Sequence, residues 1–225
     1  MSSRIPAGPG GAIPMSEQLL DIVLRSLWIS GTALLLSLLW SLPLALILGL
    51  RRFRGRNTII SFFNAMLGVP TVALGLFLYL LFSRRGALGA FSLLYTPTAI
   101  MIGQAILITP ILISLLTSAI EAVDPRIRDL ARTLGASERQ ASLTILREAR
   151  KGSILAGVSA FNRAIAELGI ALMLGGNIEG LTRVMTTQIA LGVNRGEIIL
   201  SLEATLVLLA IVFTLTLIAN RFRGD

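Results

Sequence analysis

Three long stretches of the chain, residues 27–50, 58–83 and 86–120, contain no Asp, Glu, Lys or Arg; Arg51 lies just beyond the first, and the basic pair Arg84–Arg85 separates the last two. A helix rises about 1.5 Å per residue, so roughly 20 apolar residues cross the hydrocarbon layer of a bilayer. Each stretch is long enough. Two further stretches carry isolated charges: residues 152–178 are apolar apart from Arg163 and Glu167, and residues 198–220 apart from Glu203. The pattern predicts membrane-spanning helices at about 27–50, 59–82, 97–120, 153–176 and 198–220. The apolar runs are continuous. Barrel strands would alternate, and lipid accepts only those two solutions. The expected fold class is all-α, a polytopic transmembrane bundle of about five spans over residues 16–225.

The polar segments between the spans have their own signals. Residues 1–15 are rich in Gly and Pro and read as a flexible tail, without the small-residue cleavage pattern of a secretory signal. Residues 16–26, SEQLLDIVLRS, predict a short amphipathic lead-in helix with Ser16 as its cap and Glu17 complementing its dipole. Pro43, Pro70, Pro97 and Pro110 sit in or beside spans, where proline bends a helix. Glu203 lies near the start of span five, where the helix dipole favours an acid.

The segment 121–151, EAVDPRIRDLARTLGASERQASLTILREARK, is the most explicit. Asp124 before Pro125 forms an N-cap and first-position pair, because proline lacks only an N–H that had no partner there. Ile127, Leu130, Ala131 and Leu134 follow at i, i+3, i+4 and i+7, one apolar stripe. Gly135 suits the residue after a last helical turn, where φ is often positive. Ser137 with Gln140 three residues on is a capping box that opens a second helix. A helix this short is marginal alone, so its stripe must be covered, either by the protein's own spans or by a groove on a cytosolic partner.

Composition then restricts the chemistry. Charged residues make up 14% of the chain and the mean hydropathy is +0.81, far from a soluble domain. The net charge of +8 is a matter of topology. Thirteen of the twenty cations fall in 51–57, 121–151 and the last five residues, all on one side of a five-span bundle. Short basic loops stay cytoplasmic, which puts the N-terminus outside and the C-terminus inside and requires no nucleic-acid partner. There is no Cys and no His, so disulfides, thiol chemistry, the usual zinc sites and Ser-His-Asp catalysis are excluded, and no catalytic or metal site is expected. Lys151, the only lysine, is followed by Gly152 rather than the Ser or Thr of a phosphate loop, so any ATP is handled by another chain. An odd span count and one long loop speak against an ion-coupled secondary transporter, which is usually built from paired repeats. A structural membrane anchor is the residual alternative.

Two places inside the membrane region stand out. Arg163 and Glu167 are four apart on one helical face, with Arg163 roughly 15 Å from the cytoplasmic end. A charge at that depth faces a bundle interior or a wet path. Two readings stand: a self-neutralising pair that locks span four to its neighbours, or an arginine that lines an anion route while Glu167 restrains it. Gly175, Gly176 and Asn177 close span four at the external side. A tight turn is the preferred reading and an anion-binding nest the alternative.

The segment LARTLGASERQASLTIL resembles the EAA loop of ABC importer permeases, with Asp129, Leu130 and Ala131 at its first three places and Gly135 at its glycine. Leu130 replaces an alanine, and Arg147 stands where many relatives carry proline. FNRAIAELGIALMLGGNI (161–178) and TRVMTTQIALGVNRGE (182–197) are similar to the permeases of tungstate importers, relatives of molybdate and sulfate permeases. The resemblance implies a type I importer transmembrane domain whose coupling helix, with Ile127, Asp129, Leu130, Ala131, Leu134, Gly135 and Ala136, docks on a cytosolic ATPase dimer that binds ATP and Mg. It also implies an external oxyanion-binding protein. Five spans enclose too little space for a path, so a homodimer with the path at its interface is expected.

Overall fold

The computed structural model describes residues 15–224. The tail expected over residues 1–15 lies outside them but for Met15, which opens the first helix. Among the described residues there are ten α-helices and no strand. They are α1 (Met15–Leu50), α2 (Arg56–Met66), α3 (Thr71–Phe82), α4 (Pro97–Glu121), α5 (Pro125–Thr133), α6 (Glu138–Glu148), α7 (Arg150–Ile165), α8 (Gly169–Gly175), α9 (Met185–Gly192) and α10 (Ile198–Gly224). Three of them, α1, α4 and α10, are long and apolar enough to cross a membrane alone. The bent pairs α2–α3 and α7–α8 bring the total to five if each pair is one span.

Three expectations change. The lead-in helix is not separate: it is the first third of α1, so Ser16 sits inside the first turn instead of capping it. At 36 residues, α1 is about 54 Å long and overshoots the hydrocarbon layer. Span two is broken by 98° between α2 and α3, because Pro70 has no N–H to give and pushes Val69 out of helical geometry. Span four is broken by 55° between α7 and α8, without a proline. There the Glu167 carboxylate competes for the backbone.

The centre of the bundle is α4. Thr96 caps it, accepting from the Ala99 N–H (3.3 Å), and Pro97 supplies a preset first turn. Ile108, Leu112, Leu116 and Ile120 bury one face against α1, α6 and α7. The matching face of α1 is made of small residues, Ser26, Ser30, Ala33, Ser37, Ser41 and Ala45, all buried and three or four apart. Lipid tails are as apolar as Leu, so burial alone does not pair helices in a bilayer; close backbone approach and interhelical hydrogen bonds do. Ser37 Oγ lies 2.9 Å from Thr109 Oγ1 of α4, and the Trp40 indole donates to the same oxygen (2.8 Å). At the end of the bundle that carries α5 and α6, Arg56 is buried. Its Nε donates to the Leu48 carbonyl (2.6 Å) and its Nη2 pairs with Glu121, tying α1, α2 and α4 together.

Candidate functional site

The α5–α6 elbow has the local geometry its sequence demands. Asp124 accepts from the Arg126 N–H (2.9 Å), and Ser137 and Gln140 form a reciprocal capping box. The end of α5 is a Schellman turn, with Gly135 N–H on the Arg132 carbonyl and Ala136 N–H on the Ala131 carbonyl, both 3.0 Å. Gly135 has φ +85°, open to glycine and strained for a side chain. Arg132 Nε reaches Glu138 at 3.4 Å across the turn.

The apolar stripe is divided. Ile127 packs on the core of α1, α4 and α7, and Ala131 and Ala136 are half-buried. Leu130 and Leu134 are 62% and 80% exposed. Asp129 is exposed and borders a hollow of about 200 Å³ shared with Arg52 and Glu121. The protein's own spans therefore cover one end of the stripe and leave the other bare.

Arg163 and Glu167 meet at the break of span four. Arg163 Nη1 donates to Glu167 Oε2 at 2.6 Å, and the other carboxylate oxygen accepts from the Ile170 N–H (3.2 Å) in the first turn of α8. That second bond ends one helix and starts the next. Two more side chains hold the loosened backbone: Gln104 Nε2 donates to the Ala164 carbonyl (3.0 Å) and Thr186 Oγ1 to the Glu167 carbonyl (2.9 Å). Glu167 is 3% exposed, whereas Arg163 is 36% exposed. Of the five N–H groups on Arg163, one is engaged by a described residue. The broken spans touch here. A Cβ added to Gly169 would lie 3.1 Å from Val72 Cγ2 and 3.2 Å from Thr71 Oγ1, and an open hollow of about 420 Å³ runs between Thr71, Val72 and residues 166–169, 172 and 173.

Gly175, Gly176 and Asn177 end α8. Gly176 and Asn177 take φ +69° and +53°, and Asn177 is buried. The Gly176 N–H bonds to the Leu172 carbonyl (3.0 Å) and the Ile178 N–H to Thr182 Oγ1 (2.9 Å), so these amides serve the turn.

Sequence reasoning missed the role of the segment after this turn. The segment 178–197 turns back so that every residue from Thr182 to Gln188 is buried, while residues 178–181 and 193–196 stay exposed. Arg183, 5% exposed, reaches Glu179 at 3.4 Å and Glu197 at 3.9 Å, and Gln188 Nε2 donates to the same Glu197 carboxylate (2.7 Å). Arg25 donates to the Arg183 carbonyl (3.0 Å), and Ser26 Oγ accepts from the Met185 N–H (2.9 Å). A visible signal existed in the small-residue stripe of α1, which is long enough for α4 at one end and α9 at the other.

Known proteins resemble this chain in sequence and in fold. The Haloferax volcanii protein named "Probable anion ABC transporter permease protein" is 37% identical over 210 residues, 91% of this chain and 90% of its own. The tungstate uptake system permease protein TupB of Peptoclostridium acidaminophilum is 36% identical over 203 residues, 90% of this chain and 89% of its own. A solved inward-facing structure of the MetNI methionine ABC transporter superposes with a TM-score of 0.74 over 95% of this chain and 98% of that one, at 16% identity, a likeness of fold. The family model described as binding-protein-dependent transport system inner membrane component matches residues 41–224, and the chain belongs to that family.

Proposed function

We propose that this protein is the permease subunit of an ATP-driven oxyanion importer, with tungstate as its cargo, working as a homodimer whose path runs between the two copies. The observation that carries this reading is the intramembrane guanidinium of Arg163, held in place at 2.6 Å by a buried carboxylate but with most of its N–H groups free among the described residues. A fork of donors at that depth suits a tetrahedral oxyanion and is costly against lipid. The relative named for tungstate uptake, similar over nine-tenths of the chain, supports the choice of cargo.

The helix breaks support the dimer. Non-helical backbone at membrane depth survives only against protein or water; the helices that follow the two breaks meet at Thr71, Val72 and Gly169, and the breaks themselves, residues 67–70 and 166–168, carry exposed positions. A second copy over this face would close the breaks and leave Arg163 beside the shared axis. At the other end, Leu130 and Leu134 offer an uncovered apolar pair to a cytosolic ATPase, where ATP and Mg are bound, so the elbow is cytoplasmic, the N-terminus external and the C-terminus internal. An external binding protein delivers the oxyanion.

Arg163→Gln in the reconstituted complex is expected to lower tungstate uptake by roughly tenfold or more, with molybdate and sulfate competition reporting cargo preference. Uptake at the wild-type level sinks the path assignment. Gly135→Val, which strains the Schellman turn by about 1–2 kcal/mol, should reduce ATPase co-purification; undiminished capture removes the docking role of the elbow.

A further inference from the structure

On α1, Leu35, Leu39, Pro43 and Ile47 are spaced four apart and none is buried, a single line down one face of a membrane-spanning helix. The next residue on that line is Arg51, just past the end of α1. An apolar line on such a helix faces lipid tails, so Arg51 stands where tails give way to headgroups. Across from it lies the first turn of α6, and between them is a notch of about 290 Å³. Its apolar side is Leu46, Ile47 and Leu50, and its polar side is Arg51, Arg139 and Ser142.

The charge in the notch is positive. Glu138 also borders it, but its carboxylate is engaged by Arg132 at 3.4 Å. Neither Arg51 nor Arg139 pairs with a carboxylate among the described residues. Arg56, four residues beyond Arg52, shows the contrast: it is buried and spent on Glu121 and the Leu48 carbonyl.

We propose that this notch binds an anionic phospholipid, with the phosphate between Arg51 and Arg139 and a tail along Leu46 and Ile47. Guanidinium groups match phosphate oxygens in pairs, and basic pockets beside transmembrane helices are a usual place for such headgroups. The bound lipid would fasten α6 to α1 and so hold the α5–α6 elbow at the membrane surface. The proposal rests on the bilayer placement and not on the identity of the cargo, so either can fail alone.

The test uses the whole transporter in nanodiscs of phosphatidylcholine with and without phosphatidylglycerol, counting lipid retained per complex after mild delipidation. The wild type should hold phosphatidylglycerol selectively, and Arg51→Gln with Arg139→Gln should lose roughly tenfold of that retention. The double Lys variant should keep most of it, and Arg84→Gln with Arg85→Gln at the opposite end should change nothing. Melting in lipid-free detergent checks folding, and single Arg51→Gln replaces the double variant if that one misfolds. Equal retention by a folded Gln variant overturns the proposal. So does displacement by millimolar glycerol phosphate as effective as by lipid, which makes this a free-anion site. Loss of ATPase capture by Arg139→Gln to the same degree in both lipid mixtures also overturns it, in favour of a protein contact.

Discussion

The two polar segments between the later spans invert each other. In residues 121–151 the apolar residues Leu130 and Leu134 are left outside, on a short helix with its caps complete. In residues 178–197 the polar residues Thr182, Arg183, Thr186, Thr187 and Gln188 are taken inside. Both segments depart from the rule that apolar groups are buried and polar groups exposed, and each departure is informative. An uncovered apolar pair on a well-formed helix is a surface waiting for a partner. A buried polar run held by Ser26, Glu197 and the Glu167 carbonyl is internal framework, in which the Arg183 Nε is buried without a partner among the described residues. One segment is built to be covered from outside, the other finds most of its partners within the chain.

The contrast is broken most sharply at Arg183. Arg183→Ala removes a buried side chain together with its ion pairs, at a cost of about 2 kcal/mol that lies mainly in the lost packing, because Glu179 is mostly exposed and Glu197 partly so and both can be rehydrated. The expected result is a large drop in melting temperature of the purified chain; a melting curve like the wild type's would mean the inner segment is not framework. Leu134→Ser is the opposite experiment. Because Leu134 is mostly exposed, melting should be unchanged, while ATPase capture falls by roughly fivefold or more, as for an interface anchor. A variant with lower melting temperature and intact capture would reverse the roles assigned to the two segments. The smallest effect is expected at Thr186→Val, which removes one hydrogen bond to the Glu167 carbonyl, about 1 kcal/mol. It should appear as a slight destabilisation together with slower uptake, since the same bond steadies the break that presents Arg163.

Much of the elbow was legible because its signals are local. Asp124–Pro125, Gly135 and Ser137–Gln140 each act on backbone groups within four residues, and they do so in the structure as their spacing requires. The Arg163–Glu167 contact was legible for the same reason, at i, i+4 on one helical face. The spacing did not reveal that Glu167 has a second oxygen free to end α7. The break then depends on Gln104 and Thr186, 63 and 19 residues away in the chain from Glu167.

By itself, the sequence determined that the protein lives in a membrane, where its apolar runs lie, and how the short helices of the elbow start and stop. These follow from hydropathy and from capping, which need no distant partner. Only the tertiary structure decided that two spans are broken, that residues 182–188 belong to the interior, and which half of the α5 stripe stays uncovered. Those outcomes turn on whether a donor from another helix reaches a particular carbonyl or carboxylate. In lipid, where burying apolar surface does not discriminate between arrangements, such contacts set the fold.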